Sequence, residues 1–141
     1  MLVRLMYASR AADAVDAEAL VAILKKSRVN NPPAGITGVL CYSSGVFLQV
    51  LEGGRTAVNR LYHRIAADPR HRDVELLRYE EIDERNFAIW SMGQVNMSRL
   101  NPAVLMKYSE TASLDPFAVS GKVSLALFDE LVATASIVGQ P

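Results

Sequence analysis

The sequence predicts an α+β sandwich, a largely antiparallel sheet with two helices on one face. Three patterns carry this reading: apolar runs with period-two or β-branched character at residues 2–7, 36–42, 46–52 and 74–82; two intervening stretches with apolar residues at helical spacing; and turn-formers between them, Asn30-Asn31-Pro32-Pro33, Ser43-Ser44-Gly45 and Pro69.

Taken in order, residues 2–7 place Val3, Leu5 and Tyr7 on one face and Leu2, Arg4 and Met6 on the other, so Tyr7 shares a face with core residues. From Asp16 the period becomes helical. Asp13 or Asp16 can cap, Leu20, Val21 and Leu24 mark the apolar stripe, and the tandem prolines end the helix at Asn30-Asn31, because proline disfavours helical geometry in the residue before it. Runs 36–42 and 46–52 stand at hairpin spacing around Ser43-Ser44-Gly45 and are antiparallel neighbours.

Gly53-Gly54 opens a second helix with Val58, Leu61, Tyr62 and Ile65 on one stripe and Arg60, Arg64 and Asp68 on another, and Pro69 closes it. Residues 74–82 read as a strand and 91–96 as a last short one, with Trp90 and Met92 on a common side if strand geometry reaches back that far. The order is the ferredoxin-like βαββαβ arrangement with an extra strand, which leaves one sheet face bare. Residues 103–108 and about 117–137 are helical again, with Val119, Val123, Leu127 and Leu131 spaced to pack on that open face or on a neighbouring subunit.

At 141 residues the chain is one domain's worth. Fifteen Lys and Arg balance fifteen Asp and Glu, so no basic excess exists to meet a phosphate backbone and nucleic acid is not expected as a partner. Half the residues are apolar and mean hydropathy is +0.14, a profile that favours a folded, self-associating protein. A lone Cys41 excludes an internal disulfide, and two histidines, His63 and His71, match no metal-ligand spacing. No stretch reads as a signal peptide or membrane span, and the expectation is a cytoplasmic protein.

Several polar residues stand where a core is expected. Gln49 lies mid-strand on the face of Phe47 and Leu51, and a buried amide left unpaired costs about 1–3 kcal/mol per group, so it needs partners, Tyr7 being a candidate. Each such residue also has a purely structural explanation: a Tyr–Gln core pair, asparagines at a helix end, and an Arg64–Asp68 surface couple at i, i+4. No nucleophile–base–orienter set is visible, so an enzyme is not expected.

The combination is more specific than its parts. Tyr7, Asn30-Asn31, the runs 35–42 and 47–53, the stretch Asp68-Pro69-Arg70-His71 and Trp90-Ser91-Met92 together resemble the BLUF family of blue-light sensors that use flavin. The resemblance covers residues 1 to about 98 as the flavin-binding domain. Residues 99–141 form a helical extension of the same unit, similar to the tail of the short stand-alone, PixD-like members.

The resemblance implies a noncovalent flavin, FAD with FMN or riboflavin possible, held between the two helices. Tyr7 would give an electron and a proton, and Gln49 would bridge its hydroxyl to the flavin and end rotated or tautomerised. Asn31, with Asn30 beside it, would bond the pyrimidine edge. Ile23, Leu24, Ile65 and Phe47 would wall the ring, with Ser27 beside them, while Arg64, Asp68 and His71 would line the ribityl and phosphate exit. Trp90 and Met92 would carry the signal out.

No output domain is recognisable, so the expected partner is a separate effector, such as an EAL-type phosphodiesterase or a response-regulator-like protein, alongside a homo-oligomer. Two other readings compete: an acylphosphatase-like hydrolase using Arg64 and Asn31, which leaves Gln49 unexplained, and a colourless interaction module on the same fold.

Overall fold

The computed structural model describes residues 1–13, 15–134 and 137–138, and in it the N-terminal alternation extends beyond its six-residue pattern: β1 occupies Leu2–Ala11. Helix α1 (Ala17–Ala34) starts where Asp16 accepts a hydrogen bond from the Ala19 amide. Strands β2 (Thr37–Ser43) and β3 (Val46–Gly54) form the expected hairpin, with Ser44 (φ 50°) and Gly45 (φ 78°) both in the left-handed region between the paired Ser43 and Val46. Two successive positive φ values match the twist of the strands they join.

Helix α2 (Arg55–Ala67) follows directly, capped by Gly54 and Asp68, and leads to β4 (His71–Ile82), β5 (Gly93–Val95), a 3-10 turn at Met97–Arg99, α3 (Pro102–Tyr108), α4 (Gly121–Thr134) and β6 (Ile137–Val138). The sheet order is β4-β1-β3-β2-β5-β6, of which β4-β1-β3-β2 is the antiparallel ferredoxin-like core. The extra strand β5 joins β2 in parallel.

Two hydrophobic layers sandwich the sheet. On one face Val3, Leu5 and Tyr7 meet Leu20, Leu24 and Val58 of α1 and α2; on the other, Met6, Leu48 and Val50 meet Leu105 of α3 and Leu127, Phe128 and Leu131 of α4. Burying each such Leu or Phe is worth about 1.5–3 kcal/mol, which is why the C-terminal helices cover the face the βαββαβ unit leaves open. Gly38 lets β2 and β3 approach, since a Cβ there would fall 2.1 Å from the Val50 carbonyl oxygen.

The structure corrects the sequence reading at several points. Helix α1 does not stop at the asparagines but runs through Pro32 and Pro33. It is closed instead by Gly35 (φ 69°), whose N–H bonds the Pro32 carbonyl while the Ile36 N–H bonds that of Asn31, both at 3.0 Å, so its last carbonyls are satisfied without the prolines' missing donors. Val21 is exposed rather than on the apolar stripe. Strand β4 begins three residues earlier than expected, at His71, because it continues the pairing with the longer β1 as far as Ala11.

Strand geometry does not reach back to Trp90 and Met92. They lie in the bend before β5, and they point to opposite layers, Trp90 toward the C-terminal helices and Met92 toward α1 and α2. Helix α4 starts at Gly121, where Ser120 caps the Val123 amide, rather than near 117, and it ends at Thr134. Its buried stripe is accordingly Ser124, Leu127, Phe128 and Leu131; Val119 precedes the helix and Val123 is only half-buried. Residues 137–138, expected at the helix end, pair with β5 as β6.

Candidate functional site

Between α1 and α2, over the middle of the sheet, lies a cleft of about 550 Å³, within the range of small-molecule sites. Its floor is set by strand pairing. Tyr7 of β1 and Gln49 of β3 are direct cross-strand partners, and period two turns both toward the helices. Leu40 and Phe47 complete the floor, Ile23 and Ile65 face the cleft from the two helices, and Leu61 joins them.

The Tyr7 hydroxyl donates to Gln49 Oε1, and Gln49 Nε2 donates to Met92 Sδ at 3.2 Å. Tyr7 and Gln49 are 1% and 6% exposed. Burial pushes the Tyr7 phenol far above its ordinary range, with Tyr62 and Asp68 adding to the effect, so Tyr7 holds its proton. The second N–H of Gln49 finds no protein partner among the described residues.

At the end of α1, Asn31 is buried and donates from Nδ2 to the Ser91 carbonyl at 2.9 Å, which leaves its Oδ1 as an acceptor at the cleft. Asn30 is exposed at the rim. Ser27 also lines the cleft, its hydroxyl turned back onto the Ile23 carbonyl at 3.1 Å. Leu24 does not line it: its side chain is spent in the core beneath.

The mouth is polar. Asp68 does not pair with Arg64 one helical turn away; it accepts from Arg70 Nη2 at 2.6 Å and from the Arg70 amide at 2.8 Å, since Pro69 folds the chain into a turn that returns Arg70 to it. That hydrogen bonding, against opposing burial, holds the Asp68 carboxyl down at about 2. Arg64 and Lys26 are exposed at the mouth, and Arg64 has no ion pair among the described residues. His71 packs its ring on Phe47 at 4.8 Å and its Nδ1 lies 2.7 Å from the buried Ser9 hydroxyl. Burial lowers the imidazole below its ordinary value, Asp68 opposing and Arg70 reinforcing the shift.

Every cleft residue named from the sequence except Leu24 is thus brought to one cavity. Lys26, Pro33, Ala34, Leu40, Leu61 and Arg70 were missed. Pro33 and Ala34 were lost by ending α1 too early, whereas the period-two pattern of β2 and the helical stripe of α2 already pointed Leu40 and Leu61 inward.

A flavin fits this donor set. An imide edge offers alternating acceptor and donor sites, and Asn31 Oδ1, the Asn30 amide and the second Gln49 N–H are groups of that complementary kind. The apolar walls suit a flat ring, and the Lys26 and Arg64 cations suit an anionic tail.

Residues 2–93 match the BLUF family model, described as sensors of blue light using FAD. The alpha subunit of the photoactivated adenylate cyclase of Euglena gracilis is 42% identical over 84 residues, 60% of this chain and 8% of that protein. The chain spans about a tenth of the length of the curated relatives it matches. Among solved structures, the photo-activated state of BlsA superposes with a TM-score of 0.82 at 32% identity, covering 96% of this chain and 99% of that one. The dark state of BlrB, a BLUF protein, gives 0.78 at 35% identity, covering 94% and 95%.

Proposed function

The chain belongs to the BLUF family of flavin-using blue-light sensors, a sensor rather than a catalyst, and on that footing we propose that Tyr7, Gln49 and Met92 are its photoactive relay. The observation that carries this reading is the continuous chain of hydrogen bonds from the Tyr7 hydroxyl through the Gln49 amide to the Met92 sulfur, on the floor of a cleft that suits a flavin.

When bound, a flavin supplies the blue-light absorber and, once excited, a one-electron oxidant. The chain's own part begins with Tyr7, which keeps its hydroxyl proton and aims it at Gln49. The electron and the proton leave Tyr7 and both return to it, so no net oxidation remains. In the interval Gln49 changes its hydrogen-bond partners, and what persists is a different set of donors at the cleft floor. A few hydrogen bonds at about 1 kcal/mol each suffice to bias a two-state element.

Ile23, Ile65 and Phe47 wall the ring, with Ser27 at its side; Asn31 and Asn30 hold its polar edge; Arg64, Lys26, Asp68 and His71 line the exit of the side chain. Leu24 supports Ile23 from the core. FAD is the proposed form, with the exposed Lys26 and Arg64 at the mouth available to its phosphates. Residues 1–98 are the flavin-binding unit and 99–141 its extension.

The output is a light-dependent contact with a separate effector, such as an EAL-type phosphodiesterase or a response-regulator-like protein, made by a homo-oligomer. Exposed Ile89, next to Trp90, and Met106 on α3 offer apolar contact near the sheet face the signal reaches. Among the described residues no helix is long and apolar enough to cross a membrane.

An absorption spectrum of the purified chain before and after blue illumination tests the reading. The expected result is a flavin spectrum that shifts slightly to the red and recovers in the dark. A protein that cannot be loaded with flavin, or a loaded one that does not shift, overturns it.

A further inference from the structure

Three residues beyond Gln49 on β3, and on the opposite face of the sheet, Glu52 is completely buried with both carboxylate oxygens hydrogen-bonded. Its Oε2 accepts from Arg4 Nε at 2.9 Å, with Arg4 Nη2 in ion-pair contact at 2.9 Å, and from the Asn86 amide at 3.0 Å; its Oε1 accepts from the Phe87 amide at 2.7 Å. Arg4 is itself fixed to Glu80 of β4 at 2.8 Å. Charged hydrogen bonds of this kind in a dry site are among the strongest a protein makes, and here two of them end on the backbone of the connection between β4 and β5.

That connection is the segment that carries Trp90 and Met92. At its far end it is held from the cleft side, with the Ser91 carbonyl on Asn31, the Met92 carbonyl on Arg28 Nε at 2.9 Å and the Met92 sulfur on Gln49. One strand therefore holds both ends of one segment, by Glu52 on one face and by Gln49 on the other. The two holds differ greatly in strength, a carboxylate on amides against an amide on a thioether. The Phe87 ring, adjacent to the Glu52 tether, meets Phe128 of α4 edge-on at 6.0 Å.

We propose that Glu52 is a positioning residue for the photocycle: it anchors residues 86 and 87 so that loss of the Gln49–Met92 contact displaces only residues beyond Phe87, and the anchored segment returns Met92 to Gln49 in the dark. Glu52 does not touch the flavin cleft and takes no part in electron transfer. The inference rests on the photoreceptor reading above and adds to it the element that sets the return.

The test compares the full chain loaded with FAD with its Glu52→Gln variant, reading flavin retention, the light-induced shift and its dark recovery. The amide keeps the volume but loses the charge and half the accepting capacity. Expected are retained flavin, a shift of normal size and recovery slowed roughly tenfold, because Met92 no longer returns from a fixed end and the productive geometry must be found again. Leu127→Ala, which weakens the same layer without touching the tether, should leave recovery within about twofold.

Recovery unchanged in Glu52→Gln, or slowed equally in Leu127→Ala, overturns the proposal. Should Glu52→Gln fail to fold, Arg4→Gln/Glu52→Gln removes both buried charges together and is read in the same way. Hydrogen exchange on the unaltered protein needs no variant. The Asn86 and Phe87 amides should stay protected in the light while protection at 89–92 falls, and loss of protection at 86 and 87 on illumination also overturns it. No shift in the unaltered protein strikes the photoreceptor reading itself, whereas a shift with indifferent kinetics strikes only the role of Glu52.

Discussion

Gln49 is bonded unequally at its two ends: its Oε1 receives the Tyr7 hydroxyl, while its Nε2 is 3.2 Å from the Met92 sulfur. A thioether is a weak acceptor, so the amide is firmly set against Tyr7 and lightly against Met92. That imbalance is what a reorientable group requires, since exchanging the weak partner costs little in the folded state.

Replacing Met92 by Leu removes the acceptor and keeps the volume, at a stability cost of under about 1.5 kcal/mol. The variant is expected to fold, hold flavin and still shift in blue light, with a changed rate of dark return. Transient absorption measures this, and a recovery identical to the parent's would remove the sulfur from the relay. Met92→Ala, by contrast, opens a cavity under a fully buried side chain and should cost about 2–5 kcal/mol in a urea titration.

Tyr7→Phe takes away one hydroxyl and leaves a ring that still packs 5.8 Å from Tyr62. Flavin retention should persist and the red-shifted state should vanish. Gln49→Leu should do the same. A difference spectrum of either variant that equals the parent's would show that the relay runs through other groups.

The sequence made most of this site readable because its signals were local: period two turned Tyr7 and Gln49 to one face, and the paired asparagines stood near the end of an amphipathic stretch, in what proves to be the last part of α1 beside the cleft. What escaped it turned on particular bonds that no periodicity reports, some distant in the chain and some between near neighbours at a turn. Whether Trp90 or Met92 faces the cleft is decided by a bend held by Asn31 and Gly38, with no periodic signal in the bend itself. The partner of Asp68 was misread because helical spacing favoured Arg64, while the turn at Pro69 brings Arg70 closer. The end of α1 was placed early because a local rule about proline was outweighed by the closing bonds of Gly35 and Ile36.

The freedom of Arg64 has a consequence for cofactor choice. With Asp68 committed to Arg70, Arg64 is the guanidinium at the mouth available to a phosphate. Arg64→Ala should weaken FMN and FAD by roughly 3- to 30-fold, more strongly at low salt, and riboflavin hardly at all. Calorimetric titration with the three flavins checks it, and equal weakening of all three would remove the phosphate role.

His71 should make stability depend on pH. Its folded-state pKa lies below the ordinary 6.5, chiefly through burial, so between the two values the unfolded chain binds the proton that the folded chain refuses. The contribution of the neutral imidazole is therefore complete above pH 6.5, falls as the pH drops through that window, and levels off once the folded-state pKa is passed. The geometry gives the cause: the ring is packed on Phe47, and its Nδ1 meets a Ser9 hydroxyl that has no access to water. Asp68, held at about 2, stays ionised throughout the window and adds no titration of its own there. Urea midpoints between pH about 5 and 8 should decline toward acid in the parent chain and decline less in His71→Phe, which keeps the ring contact and removes the titration. The same decline in both chains would assign the acid sensitivity to another group, and an NMR titration of the His71 ring with its midpoint at or above 6.5 would contradict the burial argument directly.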